Sequence, residues 1–394
     1  MLIEYVELND FLSFAESGES FALQPLNIFI GANGSGKSNF LEVFDLLKST
    51  PDNLSGFIRS GGFVSDWIFK GQGSKGVANV KVGINGKDIV NAPNKKIDYC
   101  LEFDGRGQGF EIRAERLSNT NTDPKNPYLY YDVKLGYSPV VNVRSEKEGR
   151  KLQREDLDMS QSVLKQLRDP LNYPELRYVS QKFSQIRIYR EWAFGRDTPA
   201  RNPQRADLPN VYLEPDCSNL GLVLNHIGEN YTAKVRLLSE LKKFYKSVLD
   251  YTVRIDNGTV QVLFQEEGLT APVPVTRLSD GTLRYLCLLA ILCNPSQPPL
   301  VCIEEPELGL HPDILPGLAE LLREAAEKTQ LIVTTHSSEL VSSFTDTPEV
   351  IVVVEKENGA TYFNRLEKDE LEPWLEEYSL GELWRRGDIG GNRW

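Results

Sequence analysis

Residues 31–38 read Gly-Ala-Asn-Gly-Ser-Gly-Lys-Ser, between a short apolar run and a helical one. The spacing satisfies G-x-x-x-x-G-K-S/T, a pattern whose chemistry requires a strand before it and a helix after it. Residues 21–30 carry the strand pattern, broken by Pro25; in residues 38–48, Phe40, Leu41, Phe44 and Leu47 share one helical face. Gly31, Gly34 and Gly36 let the backbone curl so that successive amide N–H groups point inward at a phosphate chain, and a helix starting near Lys37 adds the positive end of its dipole. Lys37 is then the residue to reach β- and γ-phosphates, and the Ser38 hydroxyl the one to hold Mg²⁺. A strand, a glycine turn and a helix in this order restrict the chain to an α/β fold that ends a strand in a phosphate-binding turn.

The remaining pattern agrees. Strands are expected over residues 97–103, 110–116 and 128–135, followed by a stretch dominated by helical signatures over 149–250. Within it, Val235, Leu238, Leu241, Tyr245 and Val248 make an apolar stripe over residues 231–249, while the four prolines of residues 197–215 predict a loop. Further strands are expected at 253–255, 260–264, 300–303, 331–335 and 350–354, and helices at 281–292, 313–328 and 338–344. Such alternation predicts a largely parallel sheet with helices on both faces.

Three more constellations carry chemistry. The apolar run 300–303 ends in Glu304-Glu305, which places two carboxylates in the crevice at the C-terminal edge of a parallel sheet. One carboxylate can orient metal-bound water while the next polarises an attacking water, the division of labour that nucleotide hydrolysis needs. His336 closes the next strand at the same edge, where it can sense a γ-phosphate. Leu278-Ser279-Asp280-Gly281-Thr282 precedes an apolar helix, with Ser279 or Asp280 as its N-cap.

With these motifs in this order, the chain resembles the ABC-type AAA-family ATPases of the SMC, RecF and OLD group. GANGSGKSN with the following FLEVF is similar to their phosphate loop, LSDGT to their signature, IEEPELGLHP to their Walker B segment, and TTHSSEL to their switch-histidine segment. The likeness covers roughly residues 1–50 and 250–350; the closing YSLGELWRRGDIGGNRW looks like the tail of stand-alone bacterial ATPases of the group. The resemblance implies a P-loop NTPase fold: an ABC-ATPase-like head with a mixed sheet, an antiparallel β lobe and a helical insertion. Residues 1–140 would form the N-terminal half of the head, 141–250 the insertion or lid, and 251–394 the C-terminal half with a short tail. It also implies ATP and Mg²⁺, held by Gly31, Asn33, Gly34, Ser35, Gly36, Lys37, Ser38 and Asn39, with Ser38 and Glu304 on the metal side. Glu305 is implied as catalytic base and His336 as γ-phosphate sensor. Ser279 and Gly281 would meet nucleotide bound to the opposite copy of a homodimer.

In one respect the chain departs from the family pattern: the usual metal-side aspartate is Glu304 here, one methylene longer. The glutamine that normally follows the lid strands has only Gln72 and Gln181 as candidates. A long coiled coil does not fit between the two halves. Only 58 residues follow His336, too few for the TOPRIM nuclease domain of OLD proteins, so a nuclease or other effector is expected as a separate partner. The implied function is an ATP-gated switch in DNA maintenance or anti-phage defence. The alternative is a weakly hydrolysing ATP-binding scaffold that regulates a partner.

Composition narrows the setting. The chain has 394 residues, 40% apolar and 25% charged, which excludes a wholly disordered or fibrous molecule. No apolar run approaches the roughly 18–20 residues of a membrane span. The N-terminus carries acids where a secretory signal would carry bases, and the five dispersed cysteines have the pattern of reduced, buried thiols, so a cytoplasmic protein is expected. Residues 300–394 hold 20 acids and 8 bases, which accounts for the whole net charge of −12. Against that background, residues 177–205 are a local exception, with Arg177, Lys182, Arg187, Arg190, Arg196, Arg201 and Arg205 interleaved with Tyr178, Phe183, Tyr189, Trp192 and Phe194. That mixture suits either DNA, through phosphate neutralisation and base stacking, or a solvated basic face over core aromatics. Trp374, Trp384 and Trp394 offer either a docking surface or core packing.

Overall fold

The computed structural model describes residues 1–16, 19–87, 89, 95–104, 110–119, 128–137, 139–145, 149–153 and 157–391. They divide into two compact units, each discontinuous in sequence. The first comprises Met1–Pro25, Gly31–Ile186 and Val352–Arg365; the second comprises Leu26–Ile30, Arg187–Ile351 and the residues from Leu366 on.

The first unit is built on an antiparallel sheet in the order Ser20–Ala22, Ile3–Asn9, Val77–Gly86, Lys95–Asp104, Ile112–Asn119, Tyr128–Lys134, Val140–Ser145 and Gly149–Gln153. Period-two alternation gives it one buried face: Ala78, Val80, Val82 and Ile84 are fully buried and lie opposite Phe103, Leu101, Tyr99 and Ile97. This is the expected β lobe. At its centre the buried Glu115 carboxylate accepts hydrogen bonds from Tyr99 Oη and Tyr131 Oη, both 3.0 Å, from Ser162 Oγ at 2.6 Å and from the Val163 N–H at 2.8 Å. Burial pushes its pKa upward, and the four donors oppose that shift. The helices Lys37–Ser49, Leu54–Ser60, Val163–Gln166 and Pro174–Ser184 belong to this unit, as does most of the hairpin Ile351–Glu357/Ala360–Arg365.

The second unit holds a parallel sheet in the order Arg187–Tyr189, Leu300–Glu304, Gln330–Thr334, Leu26–Ile30. Every residue of Leu26–Ile30 and Gln330–Thr334 is buried, as in a parallel sheet covered on both faces, and the polar Asn27 is accommodated by donating to the Leu331 carbonyl at 3.3 Å. The helices Asp280–Leu292 and Leu315–Ala326 lie in the same unit. A second, antiparallel sheet pairs Val248–Asp256 with Thr259–Glu266 and carries the short strands Gln204–Arg205 and Val273–Pro274. Its turn, Asn257-Gly258, has positive φ at both residues, as a two-residue hairpin requires.

Among the described residues, 141–250 carry four helices, Val163–Gln166, Pro174–Ser184, Leu220–Glu229 and Tyr231–Phe244, together with strands, and the division between units falls within this stretch after Ile186. The stripe expected over 231–249 is displaced. The helix stops at Phe244, Val248 opens the next strand, and the buried positions are Leu237, Glu240 and Leu241, while Val235 is exposed. Glu240 can occupy a core position because Arg236 and Lys243 pair with it at 2.6 and 2.9 Å, something apolar periodicity does not register. Among the described residues no helix is long and apolar enough to cross a membrane. The five cysteines are free. Trp384 is buried and Trp374 half exposed, and Trp394 lies outside the described residues.

Candidate active site

The strand Leu26–Ile30 runs directly into the glycine turn. Two of its glycines are required by geometry. Gly31 has φ +154°, and a Cβ there would lie 2.3 Å from the Val354 carbonyl oxygen. Gly36 has φ +112°, and its Cβ would meet Thr361 Oγ1 at 2.2 Å and Ser13 Oγ at 2.8 Å. Gly36 is also the N-cap of Lys37–Ser49, and no side chain caps that helix start, so its first-turn N–H groups are offered to an anion. Thr361 Oγ1 donates to the Ser35 carbonyl at 2.7 Å and fixes the turn from outside. The buried Ser35 hydroxyl has no hydrogen-bond partner among the described residues, as suits a polar atom oriented for a ligand. Lys37, 6% exposed, folds back to donate to the Gly31 carbonyl at 2.7 Å and the Ala32 carbonyl at 3.0 Å. Asn33, Gly34 and Ser38 are exposed and Asn39 half-buried. A mononucleotide phosphate chain matches these donors, and the exposed Ser38 hydroxyl is the kind of oxygen that a phosphate-bound Mg²⁺ ion takes as a ligand. We expect Gly36→Ala to add left-handed strain of about 1–3 kcal/mol to the clash. It should lower the melting temperature and abolish nucleotide binding as read by calorimetry; unchanged affinity would show that the turn does not need this conformation.

In the second unit, the strand Leu300–Glu304 ends in the two acids, beside the strand Gln330–Thr334 that leads to His336. Glu305 Oε1 lies 3.5 Å from His336 Nε2, and both side chains are about one-third exposed, 31% and 35%, so solvent or substrate reaches them. Glu304 is drawn the other way: its carboxylate accepts from Arg190 Nε at 3.1 Å. A third acid, Glu307, escaped the sequence reading. It accepts from Thr335 Oγ1 at 2.6 Å and from the His336 N–H at 2.8 Å, which ties the histidine segment to the acidic turn. Burial pushes the pKa of Glu307 upward, and the neighbouring Glu305 charge adds to the shift. The available signal was its place three residues after Glu304 in EEPE.

The LSDGT segment forms a helix start, as expected. Ser279 caps Asp280–Leu292, its Oγ accepting from the Thr282 N–H at 3.1 Å. Ser279 is exposed and Gly281 half-exposed, with room for only a hydrogen at Gly281, whose Cβ would lie 2.9 Å from the Gly309 carbonyl. The buried Arg201 donates to the Leu278 carbonyl at 2.6 Å and pairs with Asp280, holding this loop.

Residues 177–205 are therefore not an aromatic-lined basic surface. Phe183, Tyr189 and Phe194 are buried, Arg190 and Arg201 hold Glu304 and the LSDGT loop, Arg187 packs over the Tyr212 ring, and Arg205 pairs with Asp207. Arg190 and Arg201 serve the site's scaffold, whereas Arg177, Arg196 and Arg205 are exposed over buried aromatics, as the solvated-face reading expects. Gln72 and Gln181 are exposed.

The family model described as "AAA domain, putative AbiEii toxin, Type IV TA system" matches residues 26–342, well over half of the chain. No curated protein matches it. Among solved structures, the chain is similar to an SMC head bound to the C-terminal winged-helix domain of ScpA, with a TM-score of 0.59 and 14% identity, over 94% of this chain and 99% of that one. It is likewise similar to an SMC head domain with an extended coiled coil, bound to the C-terminal domain of ScpA and derived from Pyrococcus furiosus, with a TM-score of 0.55 and 14% identity over 96% and 99% of the two chains. At that identity the likeness establishes the fold alone, that of an SMC head domain.

Proposed function

Because the chain belongs to this AAA-domain family, we propose that it is a Mg²⁺-dependent ATP hydrolase whose turnover gates its association with a second copy. The observation that carries the reading is the conformation of residues 31–38: left-handed glycines, an uncapped helix start and the orphaned Ser35 hydroxyl. In this reading the turn and Lys37 bind the β- and γ-phosphates, with Asn33 and Asn39 beside them. Ser38 and Glu304 hold the Mg²⁺ ion, which supplies charge neutralisation on the phosphate oxygens. Glu305 takes a proton from a water whose oxygen attacks the γ-phosphorus, the bond to the β-bridging oxygen breaks, and ADP leaves. His336, steadied through its backbone by Glu307, hydrogen-bonds the γ-phosphate. Ser279 and Gly281, at the surface, contact nucleotide held by the opposite copy.

The toxin–antitoxin wording of the family's description supports a switch that works with a partner protein in defence. We propose a separate effector such as a nuclease, with DNA as a further partner to which no residues are assigned, and a cytoplasmic setting. A second reading, a slowly hydrolysing scaffold, is favoured by one observation: Arg190 already neutralises the metal-side Glu304. Steady-state phosphate release with MgATP, with and without DNA, tests the first reading against the second, and sedimentation in ATP and in ADP tests the dimer. The hydrolase reading expects Mg²⁺-dependent release and an ATP-specific dimer; binding without release would favour the scaffold.

A further inference from the structure

Glu305 has φ +47°, a left-handed conformation that a glutamate does not sustain unaided. Every polar group of the two peptides flanking its Cα is tied down. The Glu304 carbonyl accepts from Trp192 Nε1 at 3.0 Å, and the Glu305 N–H donates to the Thr334 carbonyl at 2.9 Å. The Glu305 carbonyl accepts from Arg284 Nη2 at 2.8 Å, and residue 306 is proline, with no N–H to satisfy. With both peptide planes fixed, φ and ψ of Glu305 are fixed, and with them the direction in which its carboxylate leaves the backbone.

The two side-chain donors also support each other. The Arg284 guanidinium sits over the Trp192 ring, 5.1 Å from its centroid. That ring also stacks with Tyr189 and with Phe194, with centroids at 6.0 and 5.9 Å and an interplanar angle of 24° in each pair. Arg284 is 7% exposed, and this buried cation holds one backbone carbonyl and one indole face while the Glu307 and Glu305 carboxylates offset its desolvation. It also sits on the first turns of Asp280–Leu292, the helix that starts at LSDGT.

We infer that Trp192 and Arg284 are positioning residues for the Glu305 carboxylate: they hold it in the left-handed turn and link its aim to the helix that begins at Ser279. This rests on Glu305 as the base of the proposed hydrolysis. It assigns a role to an indole in a segment whose composition suited either nucleic acid or a solvated face over core aromatics.

Trp192→Phe keeps an aromatic ring in the stack and removes the N–H donor together with one ring of the indole. On the full chain with MgATP, kcat should fall about tenfold, equivalent to about 1.4 kcal/mol, while KM and calorimetric ATP affinity stay within about twofold, because residues 31–38 are untouched. Arg284→Lys, which keeps a cation but not a planar one, should produce a similar fall in kcat and serves where Trp192→Phe does not fold. The double variant should fall by less than the product of the singles, since both act through one pair of peptides. Unchanged kcat in both single variants, or a kcat loss accompanied by an equal loss of ATP affinity, would overturn the inference while leaving the hydrolase reading intact. Absence of turnover in the wild-type chain would overturn both.

Discussion

Glu305→Gln is expected to keep ATP and lose turnover. Glutamine matches glutamate in length, tolerates the left-handed turn no worse, and its amide oxygen still faces His336, whose Nε2 lies 3.5 Å from Glu305 Oε1. What it cannot do is accept the proton of an attacking water. General-base catalysis contributes about 100- to 10,000-fold, so phosphate release should drop by that order while ATP affinity is retained. Because the nucleotide then persists, the variant should accumulate as an ATP-bound dimer in sedimentation where the wild-type chain cycles. Turnover at the wild-type rate would remove Glu305 from the base role and leave Glu307 or His336 to be tested in its place.

Lys37→Ala should act on the other half of the chemistry. The ammonium group now rests on two carbonyls of the glycine turn, at 2.7 and 3.0 Å, in a residue only 6% exposed. It is thus preorganised beside the phosphate position, and little side-chain entropy is lost when a triphosphate arrives. Hydrogen bonds to charged groups contribute about 1.5–3 kcal/mol each, so losing contacts to two phosphates should weaken ATP binding by about 100-fold or more. The same substitution leaves two carbonyls without their donor, and a modest loss of thermal stability should accompany the loss of affinity.

Local pattern carried much of this architecture. The glycine turn, its flanking strand and helix, and the apolar strands leading to Glu304 and His336 all follow from short-range spacing, because continuous burial in a parallel sheet and a single buried helix face both leave periodic marks. Contacts between distant segments leave none. Thr361 secures the carbonyl of Ser35 across 326 residues, and Glu307 steadies His336 across 29. Neither pairing is encoded in the residues around it. The same limit left the reading of residues 177–205 open: arginines and aromatics at a surface and arginines and aromatics folded around Glu304 have the same composition. Only the fold shows that Arg190, Trp192 and Arg201 turn inward. The helix Tyr231–Phe244 is a smaller case of the same kind, since Glu240 looks polar in sequence and is buried by its ion pairs.

The SMC-type head architecture also gives the distribution of functional groups a rationale. The glycine turn follows one strand of the parallel sheet, the acids end another, and the histidine follows a third that lies between them. Strand ends that lie side by side are rigid mounts, and the loops that leave them can differ between relatives without moving the carboxylates.

The most direct measurement is a calorimetric titration of ATP, in the presence of Mg²⁺, into the full wild-type chain and into Lys37→Ala. The account predicts saturable binding of one nucleotide per chain to the wild type and affinity weakened about 100-fold or beyond detection in the variant. No saturable heat with the wild type, or equal affinity in the two proteins, would contradict it.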